Sequence, residues 1–431
     1  MPAAVPAGVI PGYGAAAAFC FGQPFIRARL RQTQRAHKPK TQSRMSLAPH
    51  YSVEILERID DIPPEAWEEL GTPGSLALAP SFWRVLERAG LEGFSYRYAL
   101  MRDDGGKPRA FWGVYTVTTD IAIFAPEPLR KVLEFIRRRF PSFLKWNLLE
   151  CGTPITIVSP PITQSSGVPR ASLVAALARS LREEARRRRS LLIVIRDFEH
   201  NAEAFREDLA VHGYHWIEGL PNTYLEIPWK DPQAYRDAMR SYYRSKLNKY
   251  RRRVESSGIR VERKEDFADL ADILCAQWRE VHENAKEFQR EVLTPAFYRE
   301  FSRALGPDSW VLLFHRGEEL VAHALMMRDG PMIRWLYVGR SRAQNDGIYL
   351  YIATKVVDTA IELGAERLEM GLTTYDVKMD LGAEAVPIHM ALRARWGWMN
   401  PFVGLGYRLL NAVPKPGKRP VFKQQAAEET P

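Results

Sequence analysis

One local order is written twice along this 431-residue chain. A strand, a hairpin, an amphipathic helix and a further strand follow one another in the first half and again in the second. A related junction opens the helix each time: Gln164-Ser-Ser-Gly167, then Gln344-Asn-Asp-Gly347. A repeat of this size restricts the chain to two copies of one α/β unit with a mixed sheet. In the first copy, Tyr51–Leu56 reads as a strand, Pro64–Leu70 and Pro80–Gly90 as helices opened by proline, and Tyr96–Met101 with Ala110–Thr118 as a hairpin turned by Asp103-Asp-Gly-Gly106. A basic helix over Pro128–Arg139, a strand near Ile155–Val158, a helix over Ser172–Arg188 and the apolar strand Leu191–Ile195 follow. In the second copy, Trp310–Phe314, Leu320–Met327 and Met332–Val338 read as strands. Ile352, Val356, Ala360 and Leu363 share one helical face, and Arg367–Met370 starts another strand.

Composition narrows the class. Apolar residues make up 46% of the chain, which excludes a disordered or fibrous protein. No apolar run approaches the ~20 residues of a membrane-spanning helix. Cys20, Cys151 and Cys275 are odd in number, widely spaced and without a partner motif, so a disulfide framework and a structural zinc site are not expected. The net charge of +10 is uneven: residues 1–44 hold Arg27, Arg29, Arg31, Arg35, Lys38, Lys40 and Arg44 with no acid. Their apolar stretch precedes the bases, the reverse of a secretory signal. A disordered extension, a transit-like peptide or translation starting at Met45 are the readings left.

A strand, then Gln/Arg-x-x-Gly-x-Gly/Ala, then a helix is the phosphate-binding signature of the GNAT acyltransferase superfamily, and both junctions resemble it, with Pro169 and Tyr349 at the last small position. The tandem layout, with Leu220-Pro-Asn-Thr-Tyr-Leu-Glu-Ile-Pro228, the basic helix after it, and Gly371-Leu-Thr-Thr-Tyr-Asp-Val-Lys-Met-Asp-Leu-Gly382, resembles the Fem-like branch of that superfamily over about residues 50–400. The resemblance implies two tandem GNAT-like domains, 50–228 and 229–400. The second is the more complete and carries the active site. Residues 1–44 are then a basic extension and 401–431 an apolar, then flexible, tail. It also implies acyl-CoA as co-substrate with no permanent cofactor and no metal, Arg340, Arg342, Gln344 and Gly347 holding its phosphates against free N–H groups at a helix start.

Acyl transfer to an amine needs that amine neutral, donors aimed at the oxyanion, and an acid for the leaving thiolate. The GNAT resemblance implies a carboxylate or His on central strands, an exposed backbone amide at a bulge in the fourth strand, and a Tyr. His323, an ionisable ring within Val-Ala-His-Ala-Leu, suits the base; a hydrogen-bonded core histidine is the other reading. Tyr337 and Tyr375 suit an acid or orienting group. Glu369 lies on the strand before the Tyr375–Lys378 motif, and Lys378 suits a phosphate or carboxylate. Asp376, His282 and Arg244 are substrate-side candidates. Packing or salt-bridging competes at each of these positions.

Tyr235, Met239, Tyr243, Leu247, Tyr250 and Val254 form one stripe of a single helix between Asp231 and Ser256. Its remaining surface holds eight bases against Asp237. That surface is either solvated or meets donor phosphates, anionic lipid or tRNA. The basic amphipathic Pro128–Arg139 and the Trp-rich Trp396–Val413 segment suit a membrane interface, with core packing as the alternative. The leading expectation is an N-acyltransferase acting on a lipophilic amine such as a sphingoid-type long-chain base, cytoplasmic and peripheral on the inner membrane. The alternatives are an aminoacyl-tRNA-dependent Fem-type transferase and a non-catalytic binding protein.

Overall fold

The computed structural model describes residues 50–423 apart from 72–73, 121–126, 156–157, 200–202, 285–290, 343–346, 373, 411–412 and 414. Residues 1–44, Cys20, Gln344 and the end of the tail from residue 424 lie outside the described residues. The first half runs β1 (Ser52–Leu56), α1 (Pro64–Leu70), α2 (Pro80–Ala89), β2 (Ser95–Arg102), β3 (Pro108–Asp120), α3 (Glu127–Arg139), β4 (Lys145–Cys151), β5 (Thr163–Gln164), α4 (Arg170–Arg187), β6 (Leu192–Phe198), α5 (Glu203–Val211), β7 (His215–Glu218) and β8 (Asn222–Glu226). The second continues with α6 (Pro232–Ala238), α7 (Ser241–Glu255), β9 (Ile259–Lys264), α8 (Ala271–Asn284), α9 (Pro295–Leu305), β10 (Ser309–Arg316), β11 (Glu319–Asp329), β12 (Met332–Arg340), α10 (Ile348–Glu362), β13 (Arg367–Gly371), α11 (Tyr375–Asp380), β14 (Glu384–Val386), β15 (His389–Ala394) and α12 (Asn400–Leu410).

The two sheets repeat strand for strand. The first has the order β1-β2-β3-β4-β6-β15-β7, with β5 added beside β3; the second reads β9-β10-β11-β12-β13-β8-β14. Each contains one parallel pair, β4 with β6 and β12 with β13. The sixth strand of each sheet is exchanged. β8 leaves the first half to lie between β13 and β14, and β15 returns from the second half to lie between β6 and β7. The chain therefore crosses between the sheets twice, and each sheet closes with a strand of the other copy.

Helices α2 and α9 join the facing sides of the sheets. Phe82 meets Phe301 edge-on at 6.4 Å within one shared core. In β3, Gly113 leaves no Cβ where the Trp83 ring lies, so a bulky side chain packs flat on the strand. The outer face of the first sheet is covered by α4 and α5, that of the second by α6, α7 and α10.

Two local expectations change. The fourth strand of the first half is Lys145–Cys151, and the described residues at Ile155–Val158 are not a strand: Gly152 with φ 125 turns the chain before them. The basic helix is two helices. Met239 and Arg240 are extended because they bond to the C-terminal segment: Arg240 N–H donates to Val421 O at 2.8 Å, and Lys423 N–H to Ala238 O at 3.0 Å. Tyr235, Met239, Leu247 and Val254 still face the core, and Val421 is itself fully buried.

Candidate active site

Strands β12 and β13 stay paired for only three residues, ending at Arg334 opposite Glu369. Beyond that point Tyr337–Arg340 pair only with β11, while Gly371 pairs with β8, so the strands part. Within the parting strand the register slips: Leu325 faces Tyr337 but Met326 faces Trp335, which leaves Leu336 as a bulge. A bulged residue is unmatched by the ladder, so its backbone is turned out of the sheet. Trp335 steadies it, its indole N–H donating to Tyr337 O at 3.2 Å and its ring stacking on Tyr349 at 5.7 Å. The equivalent β3–β4 pairing of the first half runs from Val114 to Asp120 without a slip. Among the described residues, only the second copy carries this feature at that strand pair.

The helix after the parting strand begins beside it. Gly347 caps α10 with φ 85, and a Cβ there would strike the Tyr250 ring of α7. This glycine is thus required twice, for its left-handed backbone and for close approach. The first-turn N–H groups of α10 have no helical partners, and the basic α7 packs alongside. Arg342 is exposed, also with positive φ (57°), and Arg340 is buried.

Acids from both halves crowd the point of divergence. Arg334 bonds Glu369, Asp329 (2.7 Å) and the carbonyl of Val158 (2.7 Å), and Asn222 donates to Glu369 at 2.7 Å and to Tyr224 at 2.8 Å. Tyr224 in turn donates to Glu199. In the first half, Arg196 and Asp197 lie toward the end of β6, where Asp197 feels the charge of Glu369. Asp197 has φ 63, is buried, and sits 3.6 Å from Arg196 through Oδ1, while its Oδ2 has no hydrogen-bond partner among the described residues. Burial pushes its carboxyl up to about 7; Arg196 opposes this, and the negative charges of Glu150, Glu369 and Glu199 add to it. Glu150 is also raised by burial, and accepts from Tyr115 at 2.7 Å.

One residue past the bulge, Tyr337 donates to the buried Glu291 at 2.6 Å. His282 stacks on Trp278 at 4.5 Å, and burial lowers its pKa against the pull of Glu291 and Glu283, so the ring is neutral near pH 7.

The remaining sequence candidates are engaged by other partners. His323 is fully enclosed, with Nδ1 2.9 Å from Gln277 Oε1 and Nε2 3.1 Å from the Tyr298 hydroxyl; burial lowers its pKa to about 3. Gln277 spends its own amide N–H on Leu320 O (2.7 Å) and Ser341, which assigns the ring N–H to Nδ1. Gly339 opposite leaves the ring its space. This geometry is that of the core histidine reading. Lys378 is buried and donates to the carbonyls of Gly371 (2.9 Å) and Leu372 (2.7 Å), tying down the end of β13. Tyr375 donates to Pro221 O at 2.9 Å, Asp376 pairs with Arg419, and Arg244 lies 3.9 Å from Asp237. Thus Tyr337 and Glu369 lie on the two parting strands with Gly347 beyond, Lys378 and Tyr375 bond backbone carbonyls near the end of β13 and the start of β8, and His323, Asp376 and Arg244 meet side chains elsewhere. Asp197 and Glu291 were missed. The charged pair Arg196-Asp197 directly after five apolar residues was a readable signal; nothing local marks Glu291. No group of three or more His, Cys, Asp or Glu among the described residues could hold a metal ion.

The strand parting, the bulge and the glycine-led helix all fall within residues 241–379, which match the acetyltransferase (GNAT) domain family. The second half of this chain thus resembles a GNAT domain. In Mycobacterium tuberculosis, proteins of two strains whose name provisionally assigns them as an 8-amino-7-oxononanoate synthase 2 are 26% identical over 324 residues, 73% of this chain and 42% of theirs. The chain thus spans less than half the length of these relatives. Among solved structures, FemX superposes with a TM-score of 0.50 at 12% identity, over 78% of this chain and 96% of FemX, a likeness of fold. A tandem GNAT protein from the clavulanic acid biosynthesis pathway has a TM-score of 0.45 at 13% identity, over 80% and 99%.

Proposed function

We propose that this chain is an N-acyltransferase that moves an acyl group from acyl-CoA to the amine of a lipophilic acceptor, at the divergence of β12 and β13. The carrying observation is the Leu336 bulge on a parting strand that leads into the Gly347-capped α10. The pyrophosphate of the donor lies against the first turn of α10, where the positive end of the helix and the adjacent bases of α7 meet its charge. The bulge amide donates to the thioester oxygen, and more strongly once that oxygen becomes an oxyanion. The amine gives a proton to Asp197, whose raised carboxyl suits a base near neutral pH. The neutral nitrogen then forms the C–N bond, the C–S bond breaks as the Tyr337 hydroxyl, oriented by Glu291, supplies a proton to the leaving thiolate, and the surplus proton on the new amide nitrogen passes to the tyrosinate and restores the hydroxyl.

The proposed acceptor draws on the relatives' name. That name describes an amine beside a ketone on an aliphatic chain, which favours an aliphatic amine such as a sphingoid-type long-chain base. In the test, the purified chain is incubated with long-chain acyl-CoA and a panel of long-chain and short amines while free thiol is followed. Leu336→Pro, which removes the bulge N–H, serves as the matched variant. Thiol release that depends on a long-chain amine and falls by about a hundredfold in the variant, at unchanged melting temperature, is expected. Absence of release with every amine sinks the reading.

A second reading, transfer from an aminoacyl-tRNA, is favoured by the exposed Lys249, Arg252 and Arg253 of α7. Activity abolished by ribonuclease and unsupported by acyl-CoA would select it.

A further inference from the structure

Two groups of exposed rings lie far apart in sequence and meet at one end of the first sheet. Phe135 of α3 is 70% exposed and Phe140 60%; Trp398 is 71% and Phe402 of α12 67% exposed. Register brings them together. The N–H of Leu191, just before β6, donates to Asn147 O on β4, and the N–H of Arg395, just after β15, donates to Leu191 O, each at 2.9 Å. The start of β4 and the end of β15 are therefore two strand spacings apart, roughly 10 Å. Helix α3 is fixed at the β3–β4 tip: Arg137 pairs with Asp120 and donates to Phe143 O at 2.9 Å. Beyond Arg395, Trp396 and Trp398 stack at 6.5 Å.

Between these aromatic groups lies the α4–β6 turn. Asn147 holds it by donating to Arg188 O at 3.1 Å, and its Arg186, Arg187 and Arg189 are exposed, as is Lys145 beside them. The guanidinium of Arg139 lies 5.5 Å from the Phe140 ring centre, that of Arg395 4.3 Å from Trp396. Exposed acids on these segments are Glu134 and Glu183, with Arg187 also 3.8 Å from Glu184. Rings of this size left in water, interleaved with an excess of arginine, match an anionic lipid interface: aromatics enter the headgroup layer while bases meet acidic lipids. No helix among the described residues is long and apolar enough to cross a membrane.

We infer that this end of the first sheet docks on the surface of an anionic membrane, with Phe135, Phe140, Trp398 and Phe402 inserted and the α4–β6 turn facing the lipid charge. The surface is separate from the β12–β13 cleft and stands whatever that cleft catalyses. Flotation of the full chain with vesicles of phosphatidylcholine, with and without phosphatidylglycerol, tests it. Binding to the anionic vesicles alone, weakening with salt and accompanied by a blue shift of tryptophan emission, is expected. Phe135→Ser with Trp398→Ser should lower partitioning by at least about tenfold, and Arg186→Glu with Arg189→Glu by about a hundredfold, with circular dichroism unchanged because all four side chains are exposed. Equal partitioning onto both vesicle types overturns the inference. So do variants that bind like the parent, which would assign binding to bases elsewhere, and a dimer in solution that the same variants dissociate, which would assign the surface to a second copy.

Discussion

Replacing Asp197 with asparagine keeps shape and removes charge, and the structure sets the size of the effect. Burial lifts the carboxyl from 3.8 to about 7, a difference of about three pKa units, or about 4 kcal/mol at most between the two protonation states. Below the ordinary carboxylate pKa, folded and unfolded chains are both protonated and the full contribution is present. Between there and pH 7 the unfolded chain releases a proton that the folded chain keeps, so stability falls by up to about 1.4 kcal/mol per pH unit and levels off above. Asp197→Asn has no such loss. Loss of the Arg196 attraction tempers the gain wherever the carboxylate would be ionised. Urea unfolding of parent and variant across about pH 4 to 8 should therefore show the variant gaining on the parent as pH rises, by about 1–4 kcal/mol in total. In thiol-release assays the parent rate should rise toward a plateau near pH 7, and the variant should be slow and lack that limb. Parallel stability curves would refute the buried-acid account, and an unchanged rate profile would remove Asp197 from the chemistry.

Other outcomes follow from the same geometry. Gly347→Val puts a branched side chain into the Tyr250 ring at a positive φ, and should raise the KM for acyl-CoA by more than about tenfold while leaving the affinity for the amine nearly unchanged. His323, with its pKa near 3, should keep neutral-ring nitrogen shifts in NMR spectra down to about pH 4, whereas a solvent-exposed histidine titrates near 6.5. A ring that charges near pH 6 would contradict the Gln277–Tyr298 clamp.

The duplicated order was legible because it is local: proline-opened α1 and α2, the Asp103–Gly106 turn and the Gly347 junction each announce themselves within a few residues. The exchange of β8 and β15 was not, since a strand of five or six residues says nothing about which sheet will pair with it. The broken basic helix escaped for a related reason. Its stripe of Tyr235, Met239 and Leu247 has helical spacing throughout, but Val421 and Phe422, distant in sequence, compete for the backbone at Met239. His323 illustrates a chemical ambiguity: a ring among apolar residues reads alike as base or core, and only Gln277 and Tyr298, brought from α8 and α9, distinguish the two. Asp197 was written plainly after an apolar strand, yet its raised carboxyl arises from burial and from carboxylates distant in sequence, Glu150 and Glu369 among them.

Cutting the polypeptide near residue 228 would hand β8 to one fragment and leave its berth beside β13 vacant in the other; β15 would be stranded in the opposite sense. Each piece would carry a naked row of amide and carbonyl groups next to an orphaned ribbon, an invitation to pair with any passing chain. Such fragments should precipitate alone and recover only when refolded together, so evolution can move this module between longer polypeptides whole, but not by halves.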